Sequence, residues 1–87
     1  PVSIVLGDAD EVAPPNTNGS YAARLIPGAR LKVAHGAGHY DFLSRCTPAG
    51  AVAVQDLCAV EVPRSETHRT AIEQALILFG RAFGPPP

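Results

Sequence analysis

Two short apolar runs flank one helix-forming stretch, and that order limits what the chain can become. Residues 2–6, Val-Ser-Ile-Val-Leu, are β-rich and uncharged, the pattern of a strand buried on both faces of a parallel sheet. Residues 30–34, Arg-Leu-Lys-Val-Ala, alternate and then turn apolar, which predicts a second strand. Between them Tyr21, Ala22, Leu25 and Ile26 recur at helical spacing. Asn16, Thr17 and Asn18 offer capping side chains before that helix, and Pro27-Gly28 stops it. Strand, helix and strand make one right-handed crossover, so the strands run parallel. Two parallel strands with a couple of helices cannot cover both faces and both edges of a sheet. The chain is therefore expected to be the end of a larger α/β sheet, incomplete on its own.

Composition agrees with that expectation. Only 17% of the 87 residues are charged while 46% are hydrophobic, against about a quarter charged in an ordinary soluble domain. Seven basic and eight acidic residues leave a net charge of −1, so no field exists to hold nucleic acid or an anionic membrane surface. The apolar stretches run for a few residues, far short of the ~20 that span a bilayer. The chain opens Pro1-Val2-Ser3-Ile4, contains no Met and carries no signal-peptide succession; a processed or truncated chain is expected.

Beyond the second strand, His35-Gly36-Ala37-Gly38-His39 breaks regular structure, because two glycines in three positions disfavour helix and strand alike. Residues 40–64 have no strong period, apart from a weak helical pattern from Val52 to Leu57. From Ser65 the pattern clears: Ile72, Ala75, Leu76, Phe79 and Phe83 share one stripe of a helix, with Glu66, Arg69 and Glu73 off it. Gly84 ends that helix, giving one unit over residues 1–84 and a Pro tail at 85–87.

Cys46 and Cys58 lie twelve positions apart in the aperiodic segment, outside any C-x-x-C pair. They can be a disulfide, two buried thiols or metal ligands. A disulfide is expected, because a segment with little core of its own gains most from a staple and no metal partner is suitably spaced. A disulfide implies an oxidising compartment, periplasmic or secreted; free thiols would imply the cytoplasm.

In open α/β sheets, working residues gather beyond the carboxyl ends of the strands. The first strand releases Asp8 and Asp10 there, and the second releases His35 and His39. A carboxylate beside an imidazole can fix its tautomer and stabilise its protonated form, which makes an acid–base pair. A zinc pair from His35 and His39 would need a helix to align the rings, and the glycines oppose one. Asp41 reads as a loop hydrogen-bonder, and His68, at the start of the last helix, as a solvated residue poorly placed for the helix dipole.

Gly7-Asp8-Ala9-Asp10-Glu11-Val12-Ala13-Pro14 resembles the Gly-x-x-Asp-x-Val-x-Pro context of the triad acid in α/β-hydrolases, and Gly36-Ala37-Gly38-His39 resembles the Gly-x-Gly-His context of the triad histidine. The helix closing on Ile26-Pro27-Gly28-Ala29 is similar too. The resemblance covers residues 1–43 and extends to the final helix, and lies nearest dienelactone-hydrolase-like and esterase- or lipase-like members. It implies the C-terminal βαβα portion of a three-layer α/β sandwich. Asp10 would be the acid and His39 the base of a triad acting on carboxylic esters or related acyl bonds, with no cofactor. The small-molecule ester and the N-terminal remainder of the domain, or a second copy, would be the partners.

The resemblance fails at the nucleophile. No Gly-x-Ser-x-Gly or Gly-x-Cys-x-Gly turn exists in the chain. Ser3, Ser20, Ser44 and Ser65 lack the context, and both cysteines follow the histidine. Two thirds of a triad is present, so the chain alone is expected to be inactive. Two other readings compete. Asp8-x-Asp10 after an apolar strand also resembles the first motif of haloacid-dehalogenase-type phosphatases, with Asp8 as nucleophile, Asp10 as acid/base and Mg²⁺ nearby. That reading lacks its downstream Lys and acidic pair and leaves Gly-x-Gly-His unexplained. A non-catalytic interaction piece is the third.

Overall fold

The structure, a computed structural model, describes residues 1–84; the Pro tail at 85–87 lies outside the described residues. Strand β1 (Ser3–Gly7) leads through a loop and a π-helical turn (Pro15–Gly19) into helix α1 (Ser20–Leu25), followed by strand β2 (Arg30–Ala34). Two short helices, α2 (Pro48–Ala53) and α3 (Gln55–Cys58), precede the long helix α4 (Arg64–Phe83). The strands pair in parallel, with Ser3 beside Arg30 and Gly7 beside Ala34. The chain is thus α/β, with one two-stranded parallel sheet among the described residues.

The helix start differs from the capping expected of Asn16, Thr17 and Asn18. No side chain caps α1. Pro14 and Pro15 fix extended and then helical backbone, and the following residues wind as a π turn in which Ser20 N–H reaches Pro15 O. Asn18 and Thr17 instead bond back to the Pro14 carbonyl. The helix stop falls where expected: Ile26 N–H closes on Ala22 O, Ala29 N–H on Ile26 O, and Gly28 takes φ +76°.

Burial is sparse. Ala34 and Ala37 are the only fully buried hydrophobic residues among those described. β1, read as covered on both faces, is half-buried up to Gly7, and β2 exposes Lys32 and Val33, since two strands and the helices of this chain leave sheet surface uncovered. The Cα radius of gyration is 14.7 Å, against about 12 Å for a compact domain of this length.

Helix α4 packs against both strands, but not through its apolar stripe. Its covered side is Thr67, Ala71, Gln74 and Leu78, at helical spacing. Ile72, Leu76, Phe79 and Phe83 are 58%, 66%, 52% and 81% exposed. Apart from Leu78, the covered side is small or polar, and the large apolar side chains of the stripe face elsewhere. Thr67 Oγ1 is buried there without a hydrogen-bond partner among the described residues.

Segment 43–63 is tied to the start of α4. Cys46 and Cys58 form a disulfide with Cα atoms 6.0 Å apart. Arg64 donates to Ser44 O at 2.6 Å and Leu57 O at 2.5 Å. His68, read as solvated, has Nε2 2.9 Å from Leu43 O. Thr47 caps α2 by accepting from Gly50 N–H at 3.0 Å.

Candidate active site

The loop after β1 and the loop after β2 leave the same end of the sheet and are joined by their backbones. Asp8 N–H donates to Ala34 O and Ala9 N–H to Ala37 O. The approach is close because β1 ends in Gly7: a Cβ there would lie 1.9 Å from Ala37 O. Gly36 lies at φ +73°, a left-handed position that favours glycine. A side chain there would also meet Val62.

Asp10 and His39 meet across this junction. Asp10 Oδ2 is 2.9 Å from His39 Nδ1, and Asp10 Oδ1 accepts from Val12 N–H at 2.8 Å and Ala13 N–H at 2.7 Å. The Asp10 side chain is 1% exposed and that of His39 39%. Burial opposes the Asp10 charge. The Ala13 amide, the His39 hydrogen bond, the Val12 amide and the charge on the imidazole outweigh it and lower the carboxyl pKa from its ordinary value. A carboxylate that stays ionised makes His39 Nδ1 the donor and leaves Nε2, which has no hydrogen-bond partner among the described residues, as the basic nitrogen. The Tyr40 ring packs edge-on against the imidazole, centroids 5.0 Å apart.

Asp8 and His35 form a second, more open pair. Asp8 Oδ2 is 3.2 Å from His35 Nδ1, with side chains 44% and 94% exposed, and Asp8 Oδ1 accepts from Gly36 N–H at 2.7 Å. Asp8 sits in the turn that Asp10 N–H closes on Gly7 O, and its side chain bonds to the other loop. Asp41, buried, accepts from Gly38 N–H at 2.9 Å.

The two imidazoles address different carboxylates, and no three His, Cys, Asp or Glu groups gather into a metal-binding set among the described residues. Both Asp10 oxygens are already engaged by nitrogens, a poor fit to the acid/base role that the phosphatase reading gives Asp10. Ser3 lies in β1, Ser20 opens α1, Ser44 precedes α2 and Ser65 lies in α4. None bonds to His39 among the described residues, and both cysteines are consumed by the disulfide. The arrangement can orient an imidazole and stabilise its protonated form; it offers no nucleophile. What the sequence did not signal is the grip of Asp8 on Gly36, which depends on two loops 28 residues apart. Comparison with known proteins finds no matching family model, no matching curated protein and no matching solved structure.

Proposed function

We propose that residues 1–84 are the C-terminal βαβα portion of an α/β-hydrolase-type three-layer sandwich, supplying acid and base to an acyl hydrolase. The observation that carries this reading is the Asp10–His39 pair: a buried carboxylate held by two amides, bonded at 2.9 Å to a part-exposed imidazole. Its position beyond the carboxyl ends of two parallel strands suits ligand chemistry in such sheets. The near absence of buried hydrophobic residues supports a segment whose core is shared with further chain.

In the complete enzyme a Ser or Cys outside this segment attacks the ester carbonyl. His39 Nε2 takes its proton and returns it to the departing alcohol, breaking the acyl–oxygen bond. Water, deprotonated by the same nitrogen, then attacks the acyl-enzyme; the bond to the Ser or Cys breaks, that residue takes the proton back from Nε2, and the acid is released. Asp10 keeps the proton on Nδ1 and stabilises the imidazolium. The disulfide suits a periplasmic or secreted setting.

The test is ester hydrolysis by the full-length protein. A Gly-x-Ser-x-Gly or Gly-x-Cys-x-Gly turn upstream, with turnover of an activated ester abolished by His39→Ala, is the expected result. Asp10→Asn should keep the fold and lower kcat by something on the order of 10⁴, and Asp8→Asn by far less. Turnover indifferent to His39 but dependent on Asp8 and Mg²⁺ would overturn the reading in favour of phosphatase chemistry.

A further inference from the structure

We infer that Asp8 is a positioning residue for His39, acting through the backbone amide of Gly36; its purpose rests on the hydrolase reading, its geometry does not. The three loop carboxylates behave differently. Asp10 accepts from Val12 and Ala13, two and three residues on, and Asp41 accepts from Gly38, three residues back. Those are bonds that shape a residue's own loop. Asp8 makes no such bond among the described residues. Both its oxygens cross to the loop after β2, to His35 and to Gly36.

Those crossing bonds matter because of where they land. Ala34 ends β2 and His39 follows five residues later, so the chain must turn sharply to bring the imidazole to Asp10. Gly36 makes the turn with φ +73°, and a turned amide without an acceptor would be costly where partly buried. Asp8 Oδ1 receives that amide at 2.7 Å. One residue on, Ala37 is fully buried and bonds through its carbonyl to Ala9 N–H. Asp8 and Ala9 therefore fix two consecutive residues of the His39 loop to the Asp10 loop. Besides the Asp10–His39 bond itself, Asp8 makes the only side-chain links between these loops among the described residues.

Of its two contacts, the Gly36 amide is the working one. The His35 ring is 94% exposed at 3.2 Å, and pairs so open to water contribute little. What Gly36 requires is an acceptor, not a charge, so an amide oxygen at position 8 should serve.

The experiment is nitrogen NMR of the imidazoles in the full chain at about pH 8, where an ordinary histidine is neutral. In the unaltered chain His39 should carry its proton on Nδ1. Asp8→Ala should lose that signature, giving a mixture of the two tautomers, whereas Asp8→Asn and His35→Ala should retain it. Since Asp8→Ala could unfold the loops, amide exchange provides a second reading. The Gly36 N–H should exchange at least about tenfold slower than an open amide in the unaltered chain and in Asp8→Asn. An unprotected Gly36 amide, an unchanged His39 tautomer in folded Asp8→Ala, or a loss in Asp8→Asn equal to that in Asp8→Ala would overturn the inference while leaving the Asp10–His39 pair standing. A proton on Nε2 of His39 in the unaltered chain would remove the pair and the hydrolase reading with it.

Discussion

Gly7 and Ala37 approach so closely that a Cβ on Gly7 would lie 1.9 Å from the Ala37 carbonyl oxygen and 2.8 Å from the Ala37 Cβ. Ala37 has no exposed surface, and its carbonyl is held by Ala9 N–H. The obstacle is backbone, which cannot rotate aside as a long side chain would. The glycine that ends β1 thus lets the histidine loop lie against the acid loop, and the distance between Asp10 and His39 depends on it.

Gly7→Ala should accordingly destabilise the folded chain by about 3 kcal/mol or more, at the upper end of overpacking costs. Gly80→Ala is the matched control. It lies within α4 and a Cβ there meets nothing within 4 Å, so helix propensity should make it stabilising by about 0.5–1 kcal/mol. Urea unfolding of the two variants at equal protein concentration checks the pair; similar effects of the two substitutions would refute the close-approach account.

Asp10 predicts an acid sensitivity. Its folded carboxyl pKa lies below the ordinary value of 3.8, so the unfolded chain binds the proton more readily. The stability this confers is fully present above the unfolded pKa and is lost as pH falls through the folded one. Unfolding measured from about pH 5 down to about pH 2 should show a steeper loss for the unaltered chain than for Asp10→Asn. Equal slopes would mean that the carboxylate is not held by its partners.

The parts of this arrangement that were legible in the sequence are those set by local chemistry. The alternation of residues 30–34 marked β2 to its observed ends. Glycines and the residue order placed Asp10 and His39 at one sheet edge, where the structure has them 2.9 Å apart. The π turn at Pro15–Gly19 was not legible, because a proline pair followed by Asn-Thr-Asn also suits an ordinary capped helix. Nor was the orientation of α4. Periodicity identifies an apolar stripe but not its neighbour, and here Thr67, Ala71 and Gln74 lie on the covered side while Leu76 and Phe79 do not. The reach of the Asp8 side chain to Gly36 was not legible either, since the two residues are 28 positions apart.

The disulfide should hold segment 43–63 in place. Alkylation without reductant should leave Cys46 and Cys58 unmodified, with their peptides linked in the mass spectrum. Reduction should cost about 2–4 kcal/mol, the usual range for closing a loop of this size. Two freely alkylated cysteines in protein from an oxidising compartment would contradict the bridge.

The final prediction concerns the unpartnered surface. Ile72, Leu76, Phe79 and Phe83 form an exposed apolar stripe along α4, and a two-stranded sheet has two unpaired edges. Apolar surface of this kind drives association in water, and open strand edges add hydrogen-bonding groups in search of partners. The isolated chain should therefore sediment as a self-associated species. The double substitution Leu76→Glu and Phe79→Lys should shift it towards monomer, because it places charges where a contact would have to exclude water. Neither residue lies on the covered side of α4, so far-UV circular dichroism should retain the helix content. A compact monomer that unfolds cooperatively would show that this chain needs no further cover, and would count against its being one end of a larger sheet.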